Sequence, residues 1–182
     1  MQTYFRQYRP FFIFLLKFFA TYIILTIIYR SYLGSFDTVN FEVDGMTQLV
    51  ANHSDWFLDF FYNADTVPHE SQASIKLSLD GNYLARIVEG CNAISVMILF
   101  VAFVVAFKGT LKHTLLFIVA GIAIIHVLNI TRIGLLTMAL LHYPQHEHLL
   151  HGVVFPLFIY GVVFVLWIFW VNKYSAYAYK TS

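Results

Sequence analysis

Residues 114–141 read TLLFIVAGIAIIHVLNITRIGLLTMALL, and this apolar stretch decides the fold class of the chain. An α-helix needs roughly 20 apolar residues to cross the hydrocarbon core of a bilayer, and this stretch is longer than that. Arg132 is its only residue with a full charge at neutral pH. The stretch therefore predicts a transmembrane helix with one charged position that needs an explanation.

Three further apolar stretches lie on either side of it, at about residues 10–29, 82–107 and 152–171. The 182-residue chain is 59% hydrophobic and only 12% charged, whereas soluble domains carry roughly 25% charged residues. The first stretch is longer than the core of a secretory signal, and no small-residue cleavage site follows it, so we interpret it as an uncleaved helix. These features predict an all-α fold: a polytopic membrane helix bundle of about four transmembrane helices, in one domain over residues 1–182.

A polar segment, residues 30–81, separates the first two stretches and is rich in Asp and Asn. Cytoplasmic loops of membrane proteins are enriched in Lys and Arg. In a four-helix topology, the basic residues of the N-terminal segment, of the loop after the second helix and of the C-terminal segment all lie on one side of the membrane: Arg6, Arg9, Lys108, Lys112, Lys173 and Lys180. We therefore predict that both termini are cytoplasmic and that segment 30–81 lies outside, with residues 52–62 forming a structured element at the membrane interface.

This topology brings Cys91, Arg132 and His151 to a similar depth. Cys91 lies eight residues inward from Tyr83, and Arg132 lies about nine residues inward from the outer end of its helix, which corresponds to roughly 12–13 Å at the helical rise. His151 stands at the outer mouth of the last helix. Ionisable side chains inside a membrane are costly and tend to mark functional sites. A single cysteine alone is more often a small packing residue, so the shared depth carries the argument.

The three side chains suit nucleophilic catalysis. A thiol becomes an effective nucleophile as the thiolate, which a neighbouring cation stabilises. A histidine can accept the thiol proton and return it to a leaving amine, and an arginine can stabilise the oxyanion of a tetrahedral intermediate. Because Cys91 is the only cysteine, disulfides and CxxC-type metal sites are excluded. No metal or cofactor site is predicted, and no basic patch supports a nucleic-acid partner.

Four nearby polar residues are candidates for catalytic or supporting roles: His148, Asn129, Glu89 and Asn92. Asn129 lies three residues before Arg132 on the same helical face and is spaced to orient it or the substrate. Glu89 is placed to form an ion pair either with Arg86, three residues earlier, or with Arg132 across the bundle. His148 is an alternative to His151 as the third catalytic residue.

Three short motifs follow one another along the chain: EGCNAISV at residues 89–96, NITRIG at residues 129–134, and a histidine that leads into the last helix. Together they resemble the exosortase/archaeosortase family, whose members carry a Cys, an Arg and a third His or Arg in this order near the outer membrane face. The sequence FPLFIYG at residues 155–161 is most similar to the small exosortase F-type members. The resemblance covers roughly residues 82–175.

The resemblance implies a membrane-embedded cysteine protease or transpeptidase at the outer face of a bacterial inner membrane. It would cleave C-terminal sorting signals of secreted proteins through a thioester on Cys91, with Arg132 as the activating or oxyanion-stabilising cation. His151 is preferred as the third residue because it adjoins the last helix, whereas His148 has the His-x-x-x-Gly spacing of longer members. The implied partners are a secreted protein with a hydrophobic, basic-tailed C-terminus, the lipid bilayer and an unidentified acceptor.

Two other classes of function fit the residues. One is a non-enzymatic membrane scaffold or assembly subunit, in which Arg132 and Glu89 form a buried pair between helices. The other is a transporter or redox component that uses the outer-loop histidines. Replacement of Cys91 by Ala separates the first alternative from catalysis, because the scaffold hypothesis predicts that this change is silent.

Overall fold

The computed structural model describes three stretches of the chain: residues 2–37, 40–107 and 109–174. Lys108 and Lys180, used above for the orientation, lie outside the described residues, and the side chain of Arg6 is not described either. Within the described stretches, the chain forms six α-helices and one three-stranded sheet with these bounds: α1 (Gln2–Leu33), α2 (Gly45–Asp59), β1 (Ala64–Pro68), β2 (Ile75–Leu79), β3 (Asn82–Ile87), α3 (Ile94–Ala106), α4 (Leu111–His142), α5 (Glu147–Leu149) and α6 (Phe155–Lys173).

Three helical segments are long and apolar enough to cross a bilayer: Tyr8–Leu33, Leu111–His142 and Pro144–Lys173. Their most apolar windows are only 0%, 17% and 11% buried within the protein, as expected for surfaces that lipid covers. The described residues are mostly helical, at 73%. The predicted polytopic bundle of the all-α class is therefore confirmed, and a small sheet is added to it outside the long helices.

The predicted second span, residues 82–107, is not one continuous helix. α3 begins only at Ile94 and has 13 residues, which corresponds to about 20 Å at the helical rise, against a hydrocarbon core of roughly 30 Å. The first part of the predicted span, Asn82–Ile87, is strand β3 instead. The described residues thus contain three helices of full span length and one shorter apolar helix.

The sheet has a local cause in the sequence. Along β2, Ile75, Leu77 and Leu79 are buried, and the polar residues between them are not, which is the alternation of a strand with one buried face. Asp80 and Gly81 follow, with φ of 50° and 79°. Asp-Gly readily supplies the two positive φ values of a two-residue hairpin turn. β2 therefore pairs antiparallel with β3 as well as with β1.

We refer to α2 together with β1–β3 as the cap. Buried apolar residues from α2, from β2 and β3 and from α4 form its core: Val50, Ala51, Leu58, Ile75, Leu77, Leu79, Ile87 and Ile133. α2 begins where the carboxylate of Asp44 accepts hydrogen bonds from the backbone N–H groups of Met46 and Thr47, which satisfies two otherwise unpaired donors. Segment 30–81 is thus largely a folded cap that packs on the C-terminal half of α4.

Aromatic rings pack against one another at the end of the bundle that lies away from the cap. Phe103 of α3 stacks on Trp167 of α6 with ring centroids 4.2 Å apart, and Phe117 of α4 stacks on Trp170 at 4.9 Å. Phe14 brings the first half of α1 to the same place, 5.8 Å from Phe103. The starts of α1 and α4 and the ends of α3 and α6 therefore share one end of the bundle, and the cap lies at the other.

Candidate active site

Cys91 lies in a single 3-10 turn, Glu89–Cys91, between β3 and α3, rather than inside a helix as the sequence predicted. The chain changes direction at Ala93, whose φ is 61°. The Asn92 Oδ1 then accepts a hydrogen bond of 3.0 Å from the N–H of Ile94 and so starts α3. The turn places the half-buried Cys91 side chain against the core of the cap.

Asn129 ties this turn to α4. It is completely buried; its Nδ2 donates to the carbonyl oxygen of Cys91 at 2.8 Å, and its Oδ1 accepts from Nη1 of Arg132 at 3.2 Å. One side chain therefore sets the position of the cysteine backbone relative to the arginine guanidinium. The contact that the sequence predicted between Asn129 and Arg132 is present.

A cavity of about 320 Å³ lies between β3, α4 and the connection from α4 to α6. Cys91, Arg132 and His151 all line it. Further lining comes from β3, from the residues that follow it, from the C-terminal half of α4 and from α5: Leu84, Ala85, Arg86, Ile87, Val88, Ile133, Leu136, Thr137, Leu140 and Glu147. The three residues that the sequence placed at a similar depth therefore meet at one cavity.

The two candidate histidines occupy different positions. After α4 the chain forms a 3-10 turn, then α5, then a π-helical turn, Leu150–Val154, that leads into α6. His151, in the π-helical turn, lines the cavity, whereas His148 is not among the lining residues. Glu147 lines the cavity as well and was missed by the sequence analysis, although its spacing of four residues from His151 places both on one helical face. π-helical turns are often found at functional sites.

Arg132 lines the cavity and brings a permanent positive charge to it,. Its Nη1 is bonded to Asn129, but its Nε is buried and has no hydrogen-bond partner in the part of the chain that the structure describes. A buried donor without an acceptor costs about 1–3 kcal/mol. The positive charge of the guanidinium makes the cavity suited to bind an anionic oxygen or sulfur,.

Residues 8–172 match the family model of the transmembrane exosortases. This range includes the bundle, the cap and every residue that lines the cavity. The chain belongs to the transmembrane exosortase family. No curated protein and no solved structure matches it. Exosortases are generally cysteine peptidases or transpeptidases of the membrane, and this exosortase is a multi-pass membrane protein.

Glu89 and Asn92 of this exosortase contribute to a polar network that does not line the cavity. Glu89 Oε1 accepts from the hydroxyl of Tyr29 at 2.9 Å, and Asn92 Nδ2 donates to Tyr29 Oη at 2.8 Å and to Thr47 Oγ1 at 3.3 Å. The Thr47 hydroxyl in turn donates to Asp44 at 2.6 Å. The network fastens the cysteine turn of the exosortase to α1 and α2.

The predicted ion pair between Glu89 and Arg132 is wrong. The Glu89 carboxylate is bonded to Tyr29 of α1, and the Arg132 guanidinium lies at the cavity with Asn129. The physical reason is the tight turn around Cys91. It places Glu89 against α1 while the cysteine two residues later lines the cavity.

Proposed function

We propose that this exosortase is a cysteine protease or transpeptidase that cleaves C-terminal sorting signals of secreted proteins, with Cys91, Arg132 and His151 as its catalytic residues. The supporting observation is their common cavity. The three residues come from a turn, a membrane helix and a π-helical turn that are far apart in the sequence. Packing alone gives no reason for a thiol, a guanidinium and an imidazole to converge there.

In the proposed reaction, His151 accepts the proton of the Cys91 thiol, and the thiolate attacks the carbonyl carbon of the scissile peptide bond. The negative charge that develops on the carbonyl oxygen is stabilised by the positive charge of Arg132, which lines the cavity,. The C–N bond then breaks, and His151 gives the proton to the leaving amine. The acyl group remains on Cys91 as a thioester. Attack by water or by an acceptor amine releases it and restores the thiol.

The proposed orientation places the cap and the cavity outside the cytoplasm. Lys112 near the start of α4 and Lys173 at the end of α6 belong to the opposite end of the bundle, and basic residues mark the cytoplasmic side. A sorting signal with a hydrophobic segment and a basic tail would then lie along the bundle, with its tail at the basic end and its cleavage motif at the cavity. We further propose that the protein is one of the small F-type members in a bacterial inner membrane, because residues 155–161 read FPLFIYG.

The scaffold hypothesis loses its main support. It requires a buried pair between Glu89 and Arg132, and each of these residues binds another partner. Arg132 instead has a donor that nothing in the described chain uses.

Replacement of Cys91 by Ala tests the proposal. In cells that carry this variant, secreted proteins with hydrophobic, basic-tailed C-termini should accumulate as uncleaved precursors, measured by mass spectrometry of the membrane fraction. His151→Gln and His148→Gln form a matched pair, and we expect only the first to block cleavage at an equal protein level. Full processing with Cys91→Ala would refute the nucleophile, and equal effects of the two histidine variants would refute the assignment of His151.

A further inference from the structure

α2 carries an exposed stripe that is mostly apolar. Leu49, His53, Trp56 and Phe60 recur at intervals of three and four residues, which places them on one side of the helix and its C-terminal cap,. Leu49, Trp56 and Phe60 are 40%, 78% and 83% exposed. Large exposed apolar patches mark surfaces that bind another protein or a membrane. We therefore expect another molecule to cover the stripe.

His53 shows which way the stripe faces. Its Nδ1 lies 2.9 Å from Nε2 of His126 on α4, a distance at which one ring donates a hydrogen bond and the other accepts it. His126 lies three residues on the N-terminal side of Asn129, so it is roughly 4.5 Å nearer than Asn129 to the aromatic end of the bundle, at the helical rise. Because His53 belongs to the stripe and contacts His126, the stripe faces toward the N-terminal half of α4 rather than away from this helix.

Contacts along the rest of α2 hold the stripe in this direction. Thr47 in its first turn is bonded to Asn92 at 3.3 Å. Near its end, the ring of Phe57 lies so close to Gly134 of α4 that a side chain on that glycine would overlap it. The face opposite the stripe is buried in the core of the cap. Rotation of α2 about its axis would break these contacts.

α4, which His53 contacts through His126, carries exposed apolar residues of its own. Beside His126 on α4, Ile124 and Val127 are 42% and 59% exposed, in a helix long enough to cross the bilayer. Aromatic rings, Trp above all, are favoured at the level of the lipid headgroups. Amphipathic helices in the interface bury their apolar face about 5–10 Å into the boundary between headgroups and acyl chains.

We propose that α2 lies in the membrane interface and that Trp56 and Phe60 are embedded in lipid. The bilayer, rather than another protein, is then the partner of the stripe. α2 would hold the cap, and with it the cavity, at a set height above the hydrocarbon core. This inference rests on the contacts of α2 and does not depend on the role of Cys91.

Spin labels at single introduced cysteines test this placement. All variants carry Cys91→Ala, which removes the only native thiol, and are reconstituted into vesicles of phosphatidylcholine and phosphatidylglycerol. Labels at Trp56→Cys and Phe60→Cys are compared with Val127→Cys as the lipid control and with Glu70→Cys as the water control, since the Glu70 side chain is 86% exposed on the cap. The measured quantities are the collision rates with oxygen, which concentrates in lipid, and with a water-soluble nickel chelate.

We expect the labels at positions 56 and 60 to lose nickel collisions and to match the Val127→Cys control. Rates equal to those of Glu70→Cys would show that the stripe faces water and would overturn the proposal. Spin–spin broadening that disappears on dilution with unlabelled protein would show that a second copy covers the stripe, which overturns it as well. Trp56 and Phe60 are so exposed that their replacement removes little packing, so the variants should fold.

Discussion

Replacement of the buried Asn129 by Leu tests how the cavity is organised. The change keeps a side chain of similar size but removes the donor to the Cys91 carbonyl and the acceptor for Arg132 Nη1. A hydrogen bond to a charged group contributes about 1.5–3 kcal/mol. If that energy holds the guanidinium in place for the transition state, its loss slows the reaction by about 10- to 150-fold, since 1.36 kcal/mol corresponds to a factor of ten.

The assay is kcat/KM for cleavage, in proteoliposomes, of the precursor that accumulates in Cys91→Ala cells. Asn129→Asp is the control of matched shape. It keeps an acceptor for Arg132, replaces the donor to the Cys91 carbonyl by a carboxylate oxygen, and adds a negative charge beside the guanidinium. We expect Asn129→Asp to retain more activity than Asn129→Leu. We also expect Asn129→Leu to add little to Arg132→Lys, because residues that act through one contact are not additive.

Three results would refute this reasoning. One is wild-type kcat/KM for Asn129→Leu with lowered thermal stability, which would make the residue purely structural. Another is an equal loss of kcat/KM in Asn129→Leu and Asn129→Asp, which would show that the lost hydrogen bond to the Cys91 carbonyl, and not the one to Arg132, causes the effect. The third is full additivity with Arg132→Lys. A readout without substrate is the rate at which iodoacetamide alkylates Cys91, the only cysteine. That rate should fall with Asn129→Leu if the guanidinium stabilises the thiolate.

Two further predictions concern stability. Gly121→Ala should lower the thermal midpoint, at a cost of about 1–3 kcal/mol from overpacking, because the added methyl group overlaps the ring of Phe100. Gly161→Ala is the control: the space around Gly161 is open, so this change should be neutral or slightly stabilising. Equal effects of the two changes would contradict the packing argument. The second prediction concerns Asp55, because burial, followed by two neighbouring carboxylates, raises the pKa of its side chain. The folded state therefore holds this proton more tightly than the unfolded state does. The stability that the bound proton contributes is lost as the pH rises through the folded pKa. Asp55→Asn should therefore raise the thermal midpoint at pH 7, and the gain should vanish below about pH 4, near the pKa of an unfolded Asp; a gain that is independent of pH would refute this cause.

The membrane helices could be predicted because hydropathy and length are local properties of the chain. The predictions around residues 10–29, 114–141 and 152–171 correspond to α1, α4 and α6. The sheet was missed although its signal was present. Alternation from Ile75 to Leu79 followed by Asp80-Gly81 is typical of a hairpin,. Because an apolar run follows from Ala93 onward, residues 82–92 were predicted to belong to the same helix, and the start of α3 was placed too early.

The candidate site was predicted less completely than the helices. Counting residues along predicted helices brought Cys91, Arg132 and His151 to a similar depth, and the structure places all three at one cavity. The count for Cys91 was nevertheless wrong in its premise, because the chain before it forms strand β3 and a 3-10 turn instead of a helix. The same counting could not separate His151 from His148, because a π-helical turn changes which side chain faces inward. Nor could it find Glu147 at the cavity.

The sequence by itself determined that this protein has helices long and apolar enough to cross a membrane, where the three full-length ones lie, and how far Arg132 lies from the outer end of its helix. Bilayer thickness and helical rise convert residue number into depth without knowledge of any contact. Only the tertiary structure decided which polar groups meet. A tight turn sends Glu89 to Tyr29 and leaves Cys91 at the cavity, and a buried Asn129 joins that turn to Arg132. Hydrogen bonds require direction as well as proximity, and direction is set by packing between segments that are distant in the chain.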